Sequence, residues 1–346
     1  MISSRRDFMR GSACCRNYCR GGVGASKVKH TWLVTLCLAM TLVSATSAQA
    51  DAPFLKLTSH DLTSVEGLVY RIIVGPPEGP APAAGYPVIY VMDGNAWAPM
   101  VSEVIRTNLD FGMRSKVEPA VVVGIGYPID GAFDMKRRPH DLTTKSNLPR
   151  PVSKVIPKDS GGYEAMVTFI QERVKPDIEK RFRIDRKRQV LAGHSLGGLF
   201  TLRTLMDHPE WFQTYLALSP SIWWHDAALM KEALALNPSP AQRAARVYIG
   251  VGELEEYLTA AYLTELEANI RARLAADPST LDGESVESFM AMMRNRGSHM
   301  VDNARDMART LSAKGLLVHF DLFPEEDHFS VLPSEFGRAI PFALRK

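Results

Sequence analysis

Hydrophobic positions fall into short runs separated by longer stretches of helical periodicity. Near-continuous apolar segments occur at 69–75 (VYRIIVG), 87–93 (PVIYVMD), 120–128 (AVVVGIGYP), 188–195 (RQVLAGHS), 212–220 (FQTYLALSP), 246–253 (RVYIGVGE) and 316–324 (LLVHFDLFP). Runs of this length and apolarity are what strands buried on both faces require. Between them, 161–182 places Met166, Phe169, Ile170, Val174 and Ile178 three or four residues apart, one apolar stripe of a helix. A helix is predicted to continue directly from the serine turn over 196–207, and another over 300–315, ending at Gly315 as a C-cap. The alternation predicts an α/β fold: a mainly parallel central sheet flanked by helices, in one domain. Two stretches break the pattern. Residues 128–160 read as a long excursion over the sheet edge, and 277–298 as a lid or a surface insert.

The first 50 residues do not belong to that pattern. A basic region ending in Lys27, Lys29 and His30 precedes the apolar run TWLVTLCLAMTLVSA, and Ala48-Gln49-Ala50 supplies a small-x-small cleavage site. The apolar run is short for a membrane span, which needs roughly 20 residues. A cleaved leader is therefore expected, with a mature chain starting near Asp51, no stable membrane span, and a periplasmic or secreted location. SRRDFMR at 4–10 resembles a twin-arginine signal, although far from the apolar run, so the export route stays open.

Setting the leader aside changes the charge. It holds seven of the 41 Lys and Arg and one of the 38 Asp and Glu, so the remainder carries 34 and 37 and a net charge of −3 rather than +3. The basicity of the full sequence thus gives no argument for nucleic acid as a partner. Cys14, Cys15, Cys19 and Cys37, the whole cysteine complement, also lie in the leader, so disulfides cannot stabilise the rest.

The candidate chemistry centres on GHSLGG. Gly193 and Gly197 flank Ser195 between a predicted strand and a predicted helix, the context of a nucleophile elbow. A serine hydroxyl needs a base, which in this fold follows the last strand. His328 in FPEEDHFSV occupies that place, whereas His194 points away within the turn, His319 lies inside a strand and His208 near a helix end. The acid belongs after the strand 246–252. Glu255 is preferred there, with Glu253 the alternative, Asp226 a more distant candidate and a Ser-His dyad also open. Oxyanion donors are expected from the backbone N–H of Leu196 and from Gly94 or Asn95 in DGN. This chemistry calls for neither a metal nor an organic cofactor.

VIYVMDGNAW, VVVGIGYP followed by RRPHDLT, LAGHSLGGLF, LSPSIWW, VGELE and FPEEDHFSV occur in this order over about 55–342. In these blocks the chain resembles the putative esterase family of α/β-hydrolases, most of all the enterobactin and salmochelin trilactone esterases of bacterial iron uptake. The resemblance implies Ser195 as nucleophile, His328 as base, and Arg137 or Arg138 with Trp223 and Trp224 near the substrate. A ferric catecholate siderophore is anionic and aromatic, which guanidinium groups and indoles could hold by charge and stacking. Without ligand, Arg138 could instead pair with Asp141 and one tryptophan belong to the core. Feruloyl and acetyl esterases share the fold, so a carbohydrate-linked ester is the alternative substrate. A non-catalytic binding protein on the same scaffold is the alternative of another class.

Overall fold

The computed structural model describes residues 56–110, 116–145, 160–281, 285–296 and 299–345. The leader and the cleavage site lie outside them. Eight strands form one sheet: β1 (Thr58–Thr63), β2 (Val69–Gly75), β3 (Tyr86–Met92), β4 (Val121–Gly126), β5 (Ile184–His194), β6 (Thr214–Leu218), β7 (Arg246–Gly252) and β8 (Leu317–Phe323). Their order is β1-β2-β4-β3-β5-β6-β7-β8, antiparallel in the pairs β1·β2 and β2·β4 and parallel from β4 to β8. This is the mainly parallel sheet that the strand runs predict, in the α/β-hydrolase arrangement that the resemblance implies. Seven of the eight strands coincide with those runs, and β5 begins four residues earlier, at Ile184. β1, with polar residues at His60 and Asp61 and mostly exposed, has no apolar run to announce it.

The helices are α1 (Gly94–Asp110), α2 (Arg138–Asp141), α3 (Tyr163–Phe169), α4 (Lys175–Arg181), α5 (Leu196–Asp207), α6 (Trp224–Ala235), α7 (Pro240–Ala244), α8 (Ala260–Ala276), α9 (Val286–Arg296), α10 (Met300–Ala313) and α11 (Leu332–Leu344). The predicted helix at 161–182 is α3 and α4 joined through a π-helical segment, Ile170–Val174. α10 ends as expected, with Gly315 at φ +88°. The ambiguous stretch 277–298 holds α9, and the excursion after β4 contains α2, while its residues 146–159 lie outside the described residues. Among the described residues no helix is long and apolar enough to cross a membrane.

Each face of the sheet has its own core. One buries Tyr90, Leu191, Tyr215 and Ile249 under α3, α5 and α10, and the other buries Ile89, Val190 and Leu216 under α1 and α11. Alternate residues of one strand serve opposite cores, as a pleat with period two dictates. The strands β3 to β8 all end at one edge, and the turns that leave it carry every candidate catalytic group. Ligands of open α/β sheets bind outside the carboxyl ends of the strands for this reason.

Lys175 is an expensive member of the first core. Its Nζ donates to the Trp211 carbonyl at 2.5 Å and stands 3.9 Å from the Phe212 ring, and burial pushes its ammonium down to about 7. The unfolded lysine keeps its proton to about pH 10.4, so between these values the unfolded chain binds more protons and stability rises with pH. Relative to Lys175→Met, the wild type should gain on the order of 2 kcal/mol between pH 6 and pH 9 in urea unfolding. A difference that does not change with pH would contradict the buried charge.

Candidate active site

Ser195 joins β5 to α5 with φ 61° and ψ −118°, a conformation that costs a non-glycine residue about 1–3 kcal/mol. The turn is possible because Gly193 and Gly197 lack side chains: a Cβ on Gly193 would stand 2.3 Å from the Gly197 carbonyl oxygen. The Ser195 N–H is held by the Leu218 carbonyl at 3.0 Å, and the Ser195 carbonyl accepts from Leu199 and Ser221. Its hydroxyl projects from the edge of the sheet and lies 3.2 Å from Ser221 Oγ.

His328 lies between β8 and α11, in a loop pinned at several points. Asp327 Oδ1 accepts the N–H groups of Phe329 and Ser330 at 2.9 Å each, bonds that hold its carboxyl below the usual aspartate range. The Glu326 carbonyl accepts from Leu254, and the His328 carbonyl accepts from His194 Nε2 at 2.8 Å. His194 is fully buried, and that burial, followed by the proximity of His328, pushes its pKa well below the ordinary histidine value. A neutral His194 therefore acts as a brace: its ring lies 4.4 Å from that of His328, setting the imidazole beside the residue next to Ser195.

Three glutamates follow β7, and they have separate partners. Glu255 is buried, and its Oε2 lies 2.5 Å from His328 Nδ1 while its Oε1 accepts from Gly252 N at 2.7 Å and from Ser219 Oγ at 2.5 Å. Glu253 is exposed and accepts the Glu325 N–H, which ties the two loops together. Glu256 bonds His299 and caps α10 at Asp302 N. Asp226 is far more exposed and pairs with Lys231. With a carboxylate on Nδ1, the imidazole carries its proton there and keeps the Nε2 lone pair for accepting one.

The oxyanion candidates are the first N–H groups of two helices, which have no intrahelical partner. Leu196 opens α5, and Gly94 and Asn95 open α1. A Cβ on Gly94 would meet the Gly124 backbone at 2.4 Å, so only glycine lets this helix start so close to β4. The Asn95 side chain is occupied, donating to the Tyr127 carbonyl and accepting the Tyr127 N–H, and leaves its backbone as the available donor.

The structure takes Arg138 out of the set available to a ligand and leaves Arg137 half-buried. Arg138 is buried and gives Nε and Nη2 to Asp93 at 3.0 and 2.8 Å, so its partner is neither a substrate nor Asp141. Arg137 packs its guanidinium on the rings of Tyr70 and Tyr127 and donates to the Val69 carbonyl. Trp224 is likewise a core residue, with Nε1 donating to the Thr144 carbonyl, while Trp223 is partly exposed beside it.

Four participants escape a reading by motif: Asp93, Ser219, Ser221 and Glu335. Asp93 anchors the α1 turn at φ 53°, and Ser219 and Ser221 form the turn after β6. Glu335 is a fully buried carboxyl on α11. A glutamate between Leu332 and Phe336 in an otherwise apolar stripe is a signal that periodicity could have raised. As for metals, Glu256, His299 and Asp302 bring ligand atoms within 4.8 Å of one another, but Glu256 already uses both oxygens to start α10.

A serine on a strained strand-to-helix turn at the carboxyl edge of this sheet is the elbow of the α/β-hydrolase fold. Over residues 69–293 the chain matches the model of the family described as "Putative esterase", and it belongs to that family. It is 35% identical over 289 residues to the ferri-bacillibactin esterase BesA of Bacillus subtilis, covering 81% of this chain and 86% of that one. It is 30% identical over 266 residues to the siderophore enterobactin esterase of Emericella nidulans, covering 73% and 80%. A crystal structure of the BES protein from Bacillus cereus superposes with a TM-score of 0.66 at 31% identity, covering 84% of this chain and 96% of that one. The protein is a carboxylic ester hydrolase.

The partner geometry separates the glutamates experimentally. Glu255→Gln should lower kcat on a short p-nitrophenyl ester at least about a hundredfold, near 2.7 kcal/mol, whereas Glu253→Gln and Glu256→Gln should stay within about tenfold. Near-normal rates in Glu255→Gln would point to a dyad.

Proposed function

We propose that the protein hydrolyses a siderophore trilactone by a Ser195–His328–Glu255 mechanism. The observation that carries the mechanism is the 2.5 Å bond between His328 Nδ1 and the buried Glu255, next to a serine held at φ 61°. Ser195 Oγ attacks the ester carbonyl as His328 Nε2 takes its proton. The tetrahedral oxyanion receives the N–H groups of Leu196 and of Gly94 or Asn95. His328 returns the proton to the leaving alcohol, and a water activated by the same nitrogen releases the acid from the acyl-enzyme. Glu255 stabilises the imidazolium throughout.

Substrate class is supported by the names of the relatives, which are siderophore esterases from a bacterium and a fungus. Trp223 remains as a surface for an aromatic ring. With Arg138 bound internally, recognition of an anionic catecholate would rest on Arg137 and other groups, which gives a neutral aromatic ester such as a feruloyl ester a place in the test. Ferric and iron-free trilactone siderophores, feruloyl esters and p-nitrophenyl acetate should be compared by product analysis. The trilactones should be preferred over p-nitrophenyl acetate by at least about a hundredfold in kcat/KM. A preference for feruloyl esters, or none at all, would overturn the siderophore assignment while leaving the ester hydrolase intact.

A further inference from the structure

Glu335 lies on the buried face of α11, flanked by Leu332, Phe336 and Ala339, with no exposed surface. Its Oε1 accepts the Ser219 N–H at 3.1 Å and lies 3.3 Å from Ser219 Oγ, and its Oε2 is buried with no hydrogen-bond partner. Neither oxygen meets a cation. β7 makes room for the carboxyl, because a Cβ on Gly250 would stand 2.7 Å from Glu335 Oε1. The same Ser219 hydroxyl lies 2.5 Å from Glu255 Oε1, so two carboxyl groups share one serine.

A hydroxyl carries one proton. The shorter contact takes it, so Ser219 donates to Glu255, and the 3.3 Å contact then needs a proton from Glu335. An ionised Glu335 would set a second buried negative charge near Glu255 with one oxygen unpartnered, which costs far more than a neutral acid in the same place. Burial first, and the Glu255 charge second, push the Glu335 pKa well above the usual glutamate value. The other ionisable group that feels it is Tyr248 of β7, whose hydroxyl donates to Asp321 at 2.8 Å.

We propose that Glu335 is a positioning residue of the active site: as a neutral acid it donates through the Ser219 hydroxyl to Glu255, and so holds that carboxylate, singly charged, against His328. This rests on the Ser195–His328–Glu255 reading. The arrangement fixes both Glu255 oxygens, one by Ser219 and Gly252 and the other by His328, and places no rival anion that would overstabilise the imidazolium.

Difference infrared spectra at pH 7 should show the carbonyl stretch of a protonated carboxyl in the wild type that is missing from Glu335→Gln. In ester hydrolysis, Ser219→Ala and Glu335→Leu should each lower kcat about tenfold with KM within about twofold. Glu335→Gln, which keeps the shape, the neutrality and a donor, should restore kcat to within about threefold and leave the acid limb of kcat/KM in place. The proposal is overturned if the infrared band is absent, if Glu335→Gln moves the acid limb down by about half a pH unit or more, the mark of a lost anion, or if Ser219→Ala keeps full kcat. Should Glu335→Leu not fold, the other variants and the spectrum decide. Full activity in Ser195→Ala would instead refute the mechanism itself, and the infrared band would still report the state of Glu335.

Discussion

One buried carboxylate, Glu255, ties together the turns that leave β6, β7 and β8. Its two oxygens contact Gly252, Ser219 and His328, which come from three separate connections at the same edge of the sheet. An isolated carboxylate in such a place would be prohibitively unstable, and each of these donors offsets part of the desolvation. The consequence runs outward. His328 is held by Nδ1 from below and by its own carbonyl through His194, so the imidazole has little freedom to turn away from the serine elbow. Catalytic groups held by packing and hydrogen bonds from rigid elements are what preorganisation requires.

A second buried carboxylate, Asp93, obeys a similar constraint. Asp93 and Arg138 form a buried two-point pair, and removal of either partner from such a pair costs about 3–5 kcal/mol. The pair fastens the excursion after β4 to the turn that begins α1, and the Asp93 carbonyl accepts from Ala96 and Trp97 in the first turn of that helix. Gly94 and Asn95 thereby sit in a fixed turn.

The sheet was readable in the sequence because its central strands are buried on both faces and appear as unbroken apolar runs, VIYVM at β3 and VLAGH at β5. The places of Ser195 between β5 and α5, of His328 after β8 and of the glutamates after β7 were readable because strand order restricts them. Pairings between distant segments were not. RRPH carries no mark that Arg138 reaches back 45 residues to Asp93, and nothing in SIWW distinguishes the buried Trp224 from the partly exposed Trp223. Glu255 differs from Glu253 and Glu256 only in which way a three-residue 3-10 turn points it, a property of the turn and not of residue type. β1 was hidden by its polar, edge-strand composition, which is how a sheet edge is kept from pairing with other chains.

The central claim is that Ser195 is an activated nucleophile whose base is His328. Active-site labelling with a fluorophosphonate, read by intact mass and peptide mapping, tests it without knowledge of the natural ester. A single phosphonyl adduct should form on Ser195 in the wild type, and His328→Ala should slow its formation by at least about a hundredfold while the protein stays folded. Labelling on Ser221, whose hydroxyl is 3.2 Å away, or equal labelling of the wild type and His328→Ala, would contradict the account.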